Sequence, residues 1–256
     1  MNTKKVILIL IILFIAAAAL LSLKWRSDNF FEKITVSGNY TITREDILSV
    51  SRLKDTLINA DEINIEIIED RILKHPEVKK VHVSRELPSE LKIEIIERRP
   101  VAILNGENEM KLLDHEIEVF QFKNFIKLYD LPVISGVRVE SNPNPKNKYN
   151  REDLRLGLFL ILNSYKESKA LYNNISEINL SDSDKVIIYL SEDSSPFYLP
   201  RNMKESISNE EYQKLLLYKL RVFDSYIKQS LDKHLKKKVN YVDLRYLNQV
   251  VVNSNN

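Results

Sequence analysis

The chain has 256 residues, of which 44% are hydrophobic and 29% charged, so it is long enough to bury one large core or two small ones. It contains no cysteine, which excludes disulfide bonds and sites that depend on a thiolate. Two of the 38 basic residues and none of the 36 acidic ones precede residue 24, so the rest of the chain is formally neutral. A neutral chain lacks the positive field that nucleic-acid binding requires.

The N-terminal segment is strongly apolar, because residues 6–23 read VILILIILFIAAAALLSL and contain no charge. At about 1.5 Å per residue this run makes a helix of about 27 Å, close to the hydrocarbon thickness of a bilayer. A cleaved signal peptide is the alternative, because two lysines precede the run and four alanines lie within it. The length of the run and the interfacial residues Lys24, Trp25 and Arg26 favour an uncleaved transmembrane helix.

A strand and a helix are predicted after a linker at 24–29. Ile34 and Val36 alternate with polar residues before Gly38-Asn39, which indicates a strand and a turn. Thr43 is followed three positions later by an acidic residue, a pattern that predicts the N-cap of a helix reaching about residue 51.

A second helix is predicted at 63–74, and His75-Pro76 ends it. Its apolar stripe consists of Ile65, Ile68, Ile72 and Leu73. Residues 77–87 and 89–99 both alternate apolar and polar side chains, which predicts a β-hairpin. The order strand, helix, helix, strand, strand predicts a small α+β unit with two helices on one face of a three-stranded sheet.

The remainder of the chain is predicted to be a larger, mixed and mostly antiparallel β domain with two amphipathic helices. The predicted strands are 101–104, 110–113, 117–120, 173–180, 186–190 and 197–199. Apolar residues recur at helical spacing in 151–169 and 210–236, which predicts the two helices. Pro143 and Pro145 predict an exposed loop before the first of them.

The sequence predicts no catalytic, cofactor or metal site. The four glycines are dispersed, so no glycine-rich loop can bind a phosphate. The four histidines form no HExxH arrangement, and no GxSxG elbow presents a serine nucleophile. The carboxylate pairs Glu94/Glu97 and Asp182/Asp184 fall where strand alternation or a turn accounts for them.

Several motifs carry a resemblance to a known family. ITVSGNYTITREDIL and HPEVKKVHVSRELPSELKIEIIERRPVAIL resemble the strands, Gly-Asn turn and Glu-Arg-x-Pro-Val-Ala exit of a POTRA domain. LLDHEIEVF, LPVISG and YVDLRYLNQVVV resemble, in the right order, motifs that follow it in the bacterial FtsQ/DivIB division proteins. Two turns depart from the family pattern: His115-Glu116 stands where a glycine is usual, and the segment after Tyr246 lacks a glycine.

The resemblance implies a domain order and a location. It gives a cytoplasmic tail at 1–5, the transmembrane helix at 6–23, a βααββ POTRA domain at 30–99, an FtsQ-type β domain at 100–252 and a frayed tail at 253–256. It implies a single-pass type II protein of the inner (cytoplasmic) membrane at the division septum, with its main domains extracytoplasmic. The implied function is a non-catalytic division scaffold, without cofactors, that recruits and links other divisome proteins.

The resemblance also implies partners and a partner-binding edge. The partners are small single-pass coiled-coil division proteins, FtsB/DivIC-like and FtsL-like, and through them the septal peptidoglycan synthase complex. The binding residues carried over are Tyr246, Leu247, Asn248, Gln249, Val250 and Val251, in a strand predicted at 246–252 that offers its edge to a partner strand. A buried sheet strand is the alternative for these valines. Asp243 and Arg245 are assigned structural roles, and a second interaction surface is expected around 34–39.

Two other functions compete with this one. A POTRA protein of export or outer-membrane assembly requires many lipid-facing strands after the POTRA domain, and the chain ends too soon for them. A membrane-anchored cell-wall hydrolase would use carboxylates such as Glu94, Glu97 or Asp182 in a cleft. No pattern in the sequence singles these carboxylates out.

Overall fold

The structure is a computed structural model that describes residues 7, 11–20, 30–53, 58–60, 63–86, 88–106, 109–121, 129–144, 147–191, 195–232 and 239–254, without the side chains of 141–147 and 230–232. The chain divides into two compact units, residues 1–98 and 99–256.

The predicted membrane helix is covered only in part. Residues 11–20 are helical, whereas 6, 8–10 and 21–23 lie outside the described residues, together with the predicted tail at 1–5 and linker at 24–29. Within the ranges that the structure describes, no helix is long and apolar enough to cross a membrane.

The first unit contains the predicted three-stranded sheet and its two helices. Its elements are β1 (Phe30–Phe31), β2 (Lys33–Ser37), α1 (Arg44–Ser51), β3 (Ile58–Asn59), α2 (Ile65–Leu73), β4 (Val78–Glu86) and β5 (Glu90–Glu97). The sheet has the order β2-β5-β4, in which β5 pairs in parallel with β2 and antiparallel with β4. The short antiparallel pair β1 and β3 was not predicted.

Side-chain caps define where the two helices begin. The Thr43 hydroxyl accepts the backbone N–H of Asp46 at 3.1 Å, which confirms the predicted N-cap of α1. Asn64 caps α2 in the same way, so this helix begins two residues later than predicted. Ile68 and Ile72 pack into the core, but Leu73 is 47% exposed and does not belong to the stripe.

The second unit is built on a nine-stranded sheet with the order β16-β15-β14-β13-β12-β9-β6-β7-β8. Its first strands are β6 (Pro100–Asn105), β7 (Met110–Asp114), β8 (Val119–Gln121), β9 (Val133–Ser135), β10 (Val139–Asn144) and β11 (Asn147–Tyr149). The later elements are α3 (Arg151–Glu167), α4 (Lys169–Asn174), β12 (Ile175–Asn179), β13 (Lys185–Leu190), β14 (Phe197–Pro200), α5 (Glu210–Asp232), β15 (Val239–Asp243) and β16 (Val251–Ser254).

Several predictions in this unit were wrong in detail. Pro143 does not lie in a loop, because it belongs to β10, which pairs with β11, whereas Pro145 lies outside the described residues. The predicted helix at 151–169 is interrupted at Ser168, which caps α4, so the following strand begins at residue 175 and not at 173.

The predicted strand 117–120 begins at residue 119, because a tight turn precedes it. The Asp114 carboxylate accepts the backbone N–H groups of Glu116 and Glu118 at 2.9 and 3.0 Å, and Ile117 adopts φ 68°. The left-handed position therefore falls on Ile117 and not at the His115-Glu116 site where the family usually has glycine. The glycine of the LPVISG motif has a clear role, since a Cβ on Gly136 (φ +65°) would lie 2.4 Å from the backbone nitrogen of Ser181.

The core of the second unit lies between the sheet and helices α3 and α5. The helices contribute Leu154, Leu158, Ile161, Leu216, Leu220, Phe223 and Ile227 to it. The strands contribute alternate residues, as expected for a sheet covered on one face. Phe223 and Phe197 of β14 place their ring centroids 4.5 Å apart, so α5 packs close to the strands that lead to β16.

Candidate protein-interaction edge

Strand β16 is the terminal strand of the nine-stranded sheet. It pairs antiparallel with β15, with Val251 opposite Asp243, Val252 opposite Val242 and Asn253 opposite Tyr241. An edge strand presents a row of backbone N–H and C=O groups that can pair with a further strand. This edge is therefore a candidate surface for binding an extended segment of another protein.

The structure places the six predicted binding residues differently from the prediction. Only Val251 belongs to the strand, and Tyr246, Leu247, Asn248, Gln249 and Val250 form an exposed turn before it. The strand continues through Asn253 and Ser254, which were predicted to be frayed, while residues 255–256 lie outside the described part. The chain thus turns after Tyr246, where the family motif is expected to turn, although it has no glycine there.

The three consecutive valines are accessible. Val250, Val251 and Val252 are 39%, 38% and 44% exposed, respectively, whereas Val242 on the neighbouring strand is fully buried. In a strand buried on both faces, the valine side chains would be inaccessible to solvent, so these exposed fractions do not fit a buried strand. Because side chains alternate along a strand, Val251 and Val252 lie on opposite faces of the sheet edge.

The strand next to β16 is held by polar and aromatic contacts. The Arg245 side chain donates to both carboxylate oxygens of Asp243, with Nη2 at 2.7 Å from Oδ2 and Nε at 3.0 Å from Oδ1. Burial opposes the charged form, but these hydrogen bonds hold the pKa of Asp243 below its ordinary value. The rings of Tyr198 and Tyr241 stack at 5.4 Å. Asp243 and Arg245 therefore have the structural role that was predicted for them.

Lys219 of α5 reaches the turn from inside the unit. Its side chain is 2% exposed, and its ammonium group donates to the carbonyl oxygen of Tyr246. Burial lowers the pKa of Lys219, and the charge of Asp243 offsets part of this effect. Sequence reasoning missed this residue, although a signal exists: Lys219 lies on the apolar stripe of α5, three residues after Leu216 and four before Phe223.

The two edges of the first unit differ from each other. At β4, the Glu69 carboxylate of α2 accepts the backbone N–H of Val83 at 2.7 Å, and Arg85 donates to the carbonyl oxygens of Ala60 and Ile63 at 3.1 and 3.0 Å. These contacts occupy that edge. Strand β2, within the predicted second surface at 34–39, is the opposite edge, where Arg44 donates to the carbonyl oxygen of Ile34 at 3.1 Å.

The carboxylates considered for a hydrolase make structural contacts. Glu97 accepts the backbone N–H groups of Tyr40, Thr41 and Ile42 at 2.8–2.9 Å and the Thr41 hydroxyl at 2.6 Å. Burial opposes the charged form, but these hydrogen bonds lower the pKa of Glu97. Asp182 accepts the N–H of Asp184 at 2.8 Å, and Glu94 pairs with Lys92 at 3.1 Å.

A buried ion-pair network joins the start of α3 to the end of β14. Asp153 contacts Nη2 of Arg201 at 2.7 Å and Nη2 of Arg138 at 2.8 Å. The Asp153 and Arg201 side chains are each 3% exposed. Burial opposes ionisation, but the hydrogen bonds from Arg138 and the positive charges of the two arginines lower the pKa of Asp153. The network also lines a cavity of about 260 Å³, whose wall includes Tyr212.

Comparisons with known proteins agree with this architecture. The family described as POTRA domain, FtsQ-type, matches residues 31–98. The family described as Cell division protein FtsQ/DivIB, C-terminal, matches residues 102–245, more than half of the chain.

Individual relatives of this chain are also named cell division protein FtsQ. The cell division protein FtsQ of Syntrophotalea carbinolica is 32% identical over 165 residues, which are 64% of this chain and 57% of that protein. The FtsQ of Geotalea daltonii is 32% identical over 111 residues, 43% of this chain and 39% of that protein. The FtsQ of Koribacter versatilis is 24% identical over 227 residues, 87% of this chain and 59% of that protein. The chain therefore spans less than two thirds of the length of each of these relatives.

The fold and the matched regions define a class: a cell division protein in which a POTRA domain is followed by a second domain built on a large sheet. The chain belongs to the FtsQ/DivIB family of cell division proteins. This confirms the resemblance on which the sequence-based expectations rest.

Proposed function

We propose that this protein is a non-catalytic scaffold of the division machinery that binds a partner by strand addition at β16. The observation that carries the proposal is the terminal position of β16 together with the exposure of its valines. Main-chain hydrogen bonds to the edge provide affinity, and side chains on both faces select the partner. Val251 and Val252 lie on opposite faces of the sheet edge. A partner strand with apolar residues at two successive positions would therefore place one of them beside each valine.

The partners in this proposal are the small single-pass coiled-coil proteins of the FtsB/DivIC-like and FtsL-like kinds. They in turn connect the scaffold to the septal peptidoglycan synthase complex. Strand β2 provides a second edge, within 34–39, for another divisome protein. We also propose that residues 6–23 form a single transmembrane helix, with the tail 1–5 in the cytoplasm and the POTRA domain at 30–99 and the β domain from residue 100 on the outer side of the membrane, at the division septum.

A matched pair of substitutions tests the binding edge. Val252→Lys places a charge on β16, and Val139→Lys makes the same change at a similarly exposed valine on β10, outside the nine-stranded sheet. Both valines are half-exposed, 44% and 46%, so each variant is expected to fold. The full chain is co-expressed with the FtsB/DivIC-like protein, extracted in mild detergent and purified, and the amount of retained partner is measured.

The proposal predicts that wild type and Val139→Lys retain the partner equally and that Val252→Lys loses at least about tenfold of it, because a lysine on an edge strand opposes strand addition. Thermal unfolding provides the folding control. Equal retention by all three proteins contradicts binding at β16. Loss of the partner in both variants means that the effect is not specific to β16, and it contradicts the assignment of the binding site to that strand.

A further inference from the structure

The three valines at 250–252 do not specify the register of β16 against β15, and the side-chain hydrogen bond between the strands, from Asn240 Nδ2 to Asn253 Oδ1 at 2.8 Å, is exposed to solvent. Residues 250, 251 and 252 are all valine and all exposed to a similar extent. A slip of one residue that moves Val250 to the place of Val251 still leaves a valine opposite both Asp243 and Val242. Strand register is weakly specified when the side-chain pattern does not distinguish the two faces.

Polar contacts fix the segment that leads into the strand. The Arg245 side chain and its backbone N–H both bind the Asp243 carboxylate, which is almost completely buried. One residue further on, the Tyr246 carbonyl oxygen accepts a hydrogen bond from Lys219, whose helix packs against the core face of the sheet. The turn is thus attached at a defined residue to a rigid element of the unit.

This attachment determines how many residues connect the helix to the paired strand. From Tyr246 to Val251, the residue opposite Asp243, the chain advances five positions. The slipped register leaves only four positions for the same span, and one strand residue covers about 3.4 Å. In the slipped register, either the turn after Tyr246 closes with one residue fewer, or Tyr246 moves away from the Lys219 ammonium group and leaves a buried charge without this acceptor.

Keeping a charged side chain in the core needs an explanation beyond stability. Replacing a buried charge by an apolar side chain of similar size is often neutral or stabilising, and the best-attested benefit of a buried polar group is to specify register. Lys219 occupies a stripe position that a leucine or methionine would fill.

From this geometry we infer that Lys219 is the positioning residue of β16, which sets the register of the edge strand by holding the carbonyl group of Tyr246. The consequence for a partner rests on the proposed function: a strand added to β16 takes its own alignment from that register. A slip of one residue moves every β16 side chain to the other face, so it changes which partner side chains are accepted.

Disulfide trapping in the full chain reads the register directly, and the absence of native cysteines leaves no competing thiol. Tyr241→Cys with Asn253→Cys reports the observed register, because these positions are opposite each other. Tyr241→Cys with Val252→Cys reports the slipped register. Each pair is combined with wild-type Lys219, with Lys219→Met and with Lys214→Met, an exposed lysine on the same helix that serves as the matched control.

With wild-type Lys219 and with Lys214→Met, the 241/253 pair is expected to form at least about fivefold more disulfide than the 241/252 pair. With Lys219→Met this ratio is expected to fall to about one or to invert. A role limited to stability would weaken both disulfides together and leave their ratio unchanged, so an unchanged ratio in Lys219→Met overturns the inference.

Lys219→Leu provides a second variant if Lys219→Met folds poorly. Its side chain has no donor for the Tyr246 carbonyl group, so the same change in the ratio is expected. An unchanged ratio in this variant overturns the inference equally. No partner is present in the experiment, so failure of the register account is distinguishable from failure of partner binding.

Discussion

The edge strands β4 of the first unit and β16 of the second differ in what covers them. At β4 a glutamate from α2 occupies a backbone N–H, and an arginine ties the strand to the preceding loop. At β16 the valines are exposed, and the strand is aligned by contacts with the residues before it. The comparison indicates that an edge closed by side chains serves stability, whereas an edge left open but aligned is suited to binding.

The two units also differ in how their charges are used. The first unit relies on apolar alternation in β4 and β5 and on carboxylates at its surface, such as Glu97, that bind backbone N–H groups. Among the described residues, the first unit buries Glu77, whereas the second buries a larger set of charged residues: Asp114, Asp153, Arg201, Lys219, Asp224 and Asp243. Substitutions that remove one partner of a buried contact are therefore expected to have larger effects in the second unit.

The largest effect is expected at Asp153. Asp153→Ala leaves the buried Arg201 without its carboxylate, and we expect the free energy of unfolding of the second unit to fall by about 3–5 kcal/mol. The change in unfolding free energy is measured by denaturant titration, with hydrogen exchange as the probe of each unit separately. The first unit should be unchanged. Asp184→Ala, at an exposed position, is the control and should cost less than about 0.5 kcal/mol. Similar effects of the two variants would contradict the importance of the buried network.

A smaller effect is expected at Glu97. Glu97→Ala removes the acceptor of three backbone N–H groups, and we expect the first unit to lose about 1–2 kcal/mol, because the site is partly exposed and water replaces some bonds. Glu94→Ala on the same strand is the matched control, with an expected change within about 0.5 kcal/mol. Equal effects at the two positions would contradict a stabilising role for the hydrogen bonds that Glu97 accepts.

The pH dependence of the first unit follows from the same carboxylate. The pKa of Glu97 is lower in the folded state, so its contribution to stability is complete above the unfolded-state pKa of about 4.3 and is lost as the pH falls through the folded-state pKa. Unfolding at pH 6, 5, 4 and 3 should show a smaller acid loss in Glu97→Gln than in wild type. Parallel curves for the two proteins would contradict the assignment.

The smallest effect on stability is expected at the closed edge. Glu69→Ala exposes the backbone N–H of Val83, and we expect a loss of about 0.5–1.5 kcal/mol. Hydrogen exchange at Val83 should become faster, and the first unit should gain a tendency to self-associate through β4. Glu66→Ala, exposed on the same helix, should change neither property. Unaltered exchange at Val83 would mean that Glu69 does not close this edge.

The sequence predicts the first unit well because its signals are local. Alternation in 77–87 and 89–99 defines the hairpin, and Thr43 defines the start of α1. The wrongly predicted boundaries lie at turns. Their positions are set by side-chain hydrogen bonds, which the spacing of apolar residues does not reveal. Examples are the Asp114 carboxylate at Ile117 and the cap formed by Ser168.

The candidate site is less predictable than the fold. The family motif indicates the end of the chain, but the strand was predicted to begin at Tyr246, and it begins at Val251, since hydrophobic residues in an exposed turn resemble a strand in sequence. Lys219 was overlooked because its acceptor, the Tyr246 carbonyl group, is 27 residues away, and a backbone atom leaves no trace in the sequence. Only its position on an apolar stripe signals a buried lysine.

The most direct test of strand addition at β16 is hydrogen–deuterium exchange of the full chain with and without the FtsB/DivIC-like protein. The account predicts that amides in 251–254 exchange at least about tenfold more slowly in the complex, because the partner strand binds them, while those of the opposite edge β8 are unchanged. Formation of the complex with unchanged exchange in 251–254 would contradict binding at this edge.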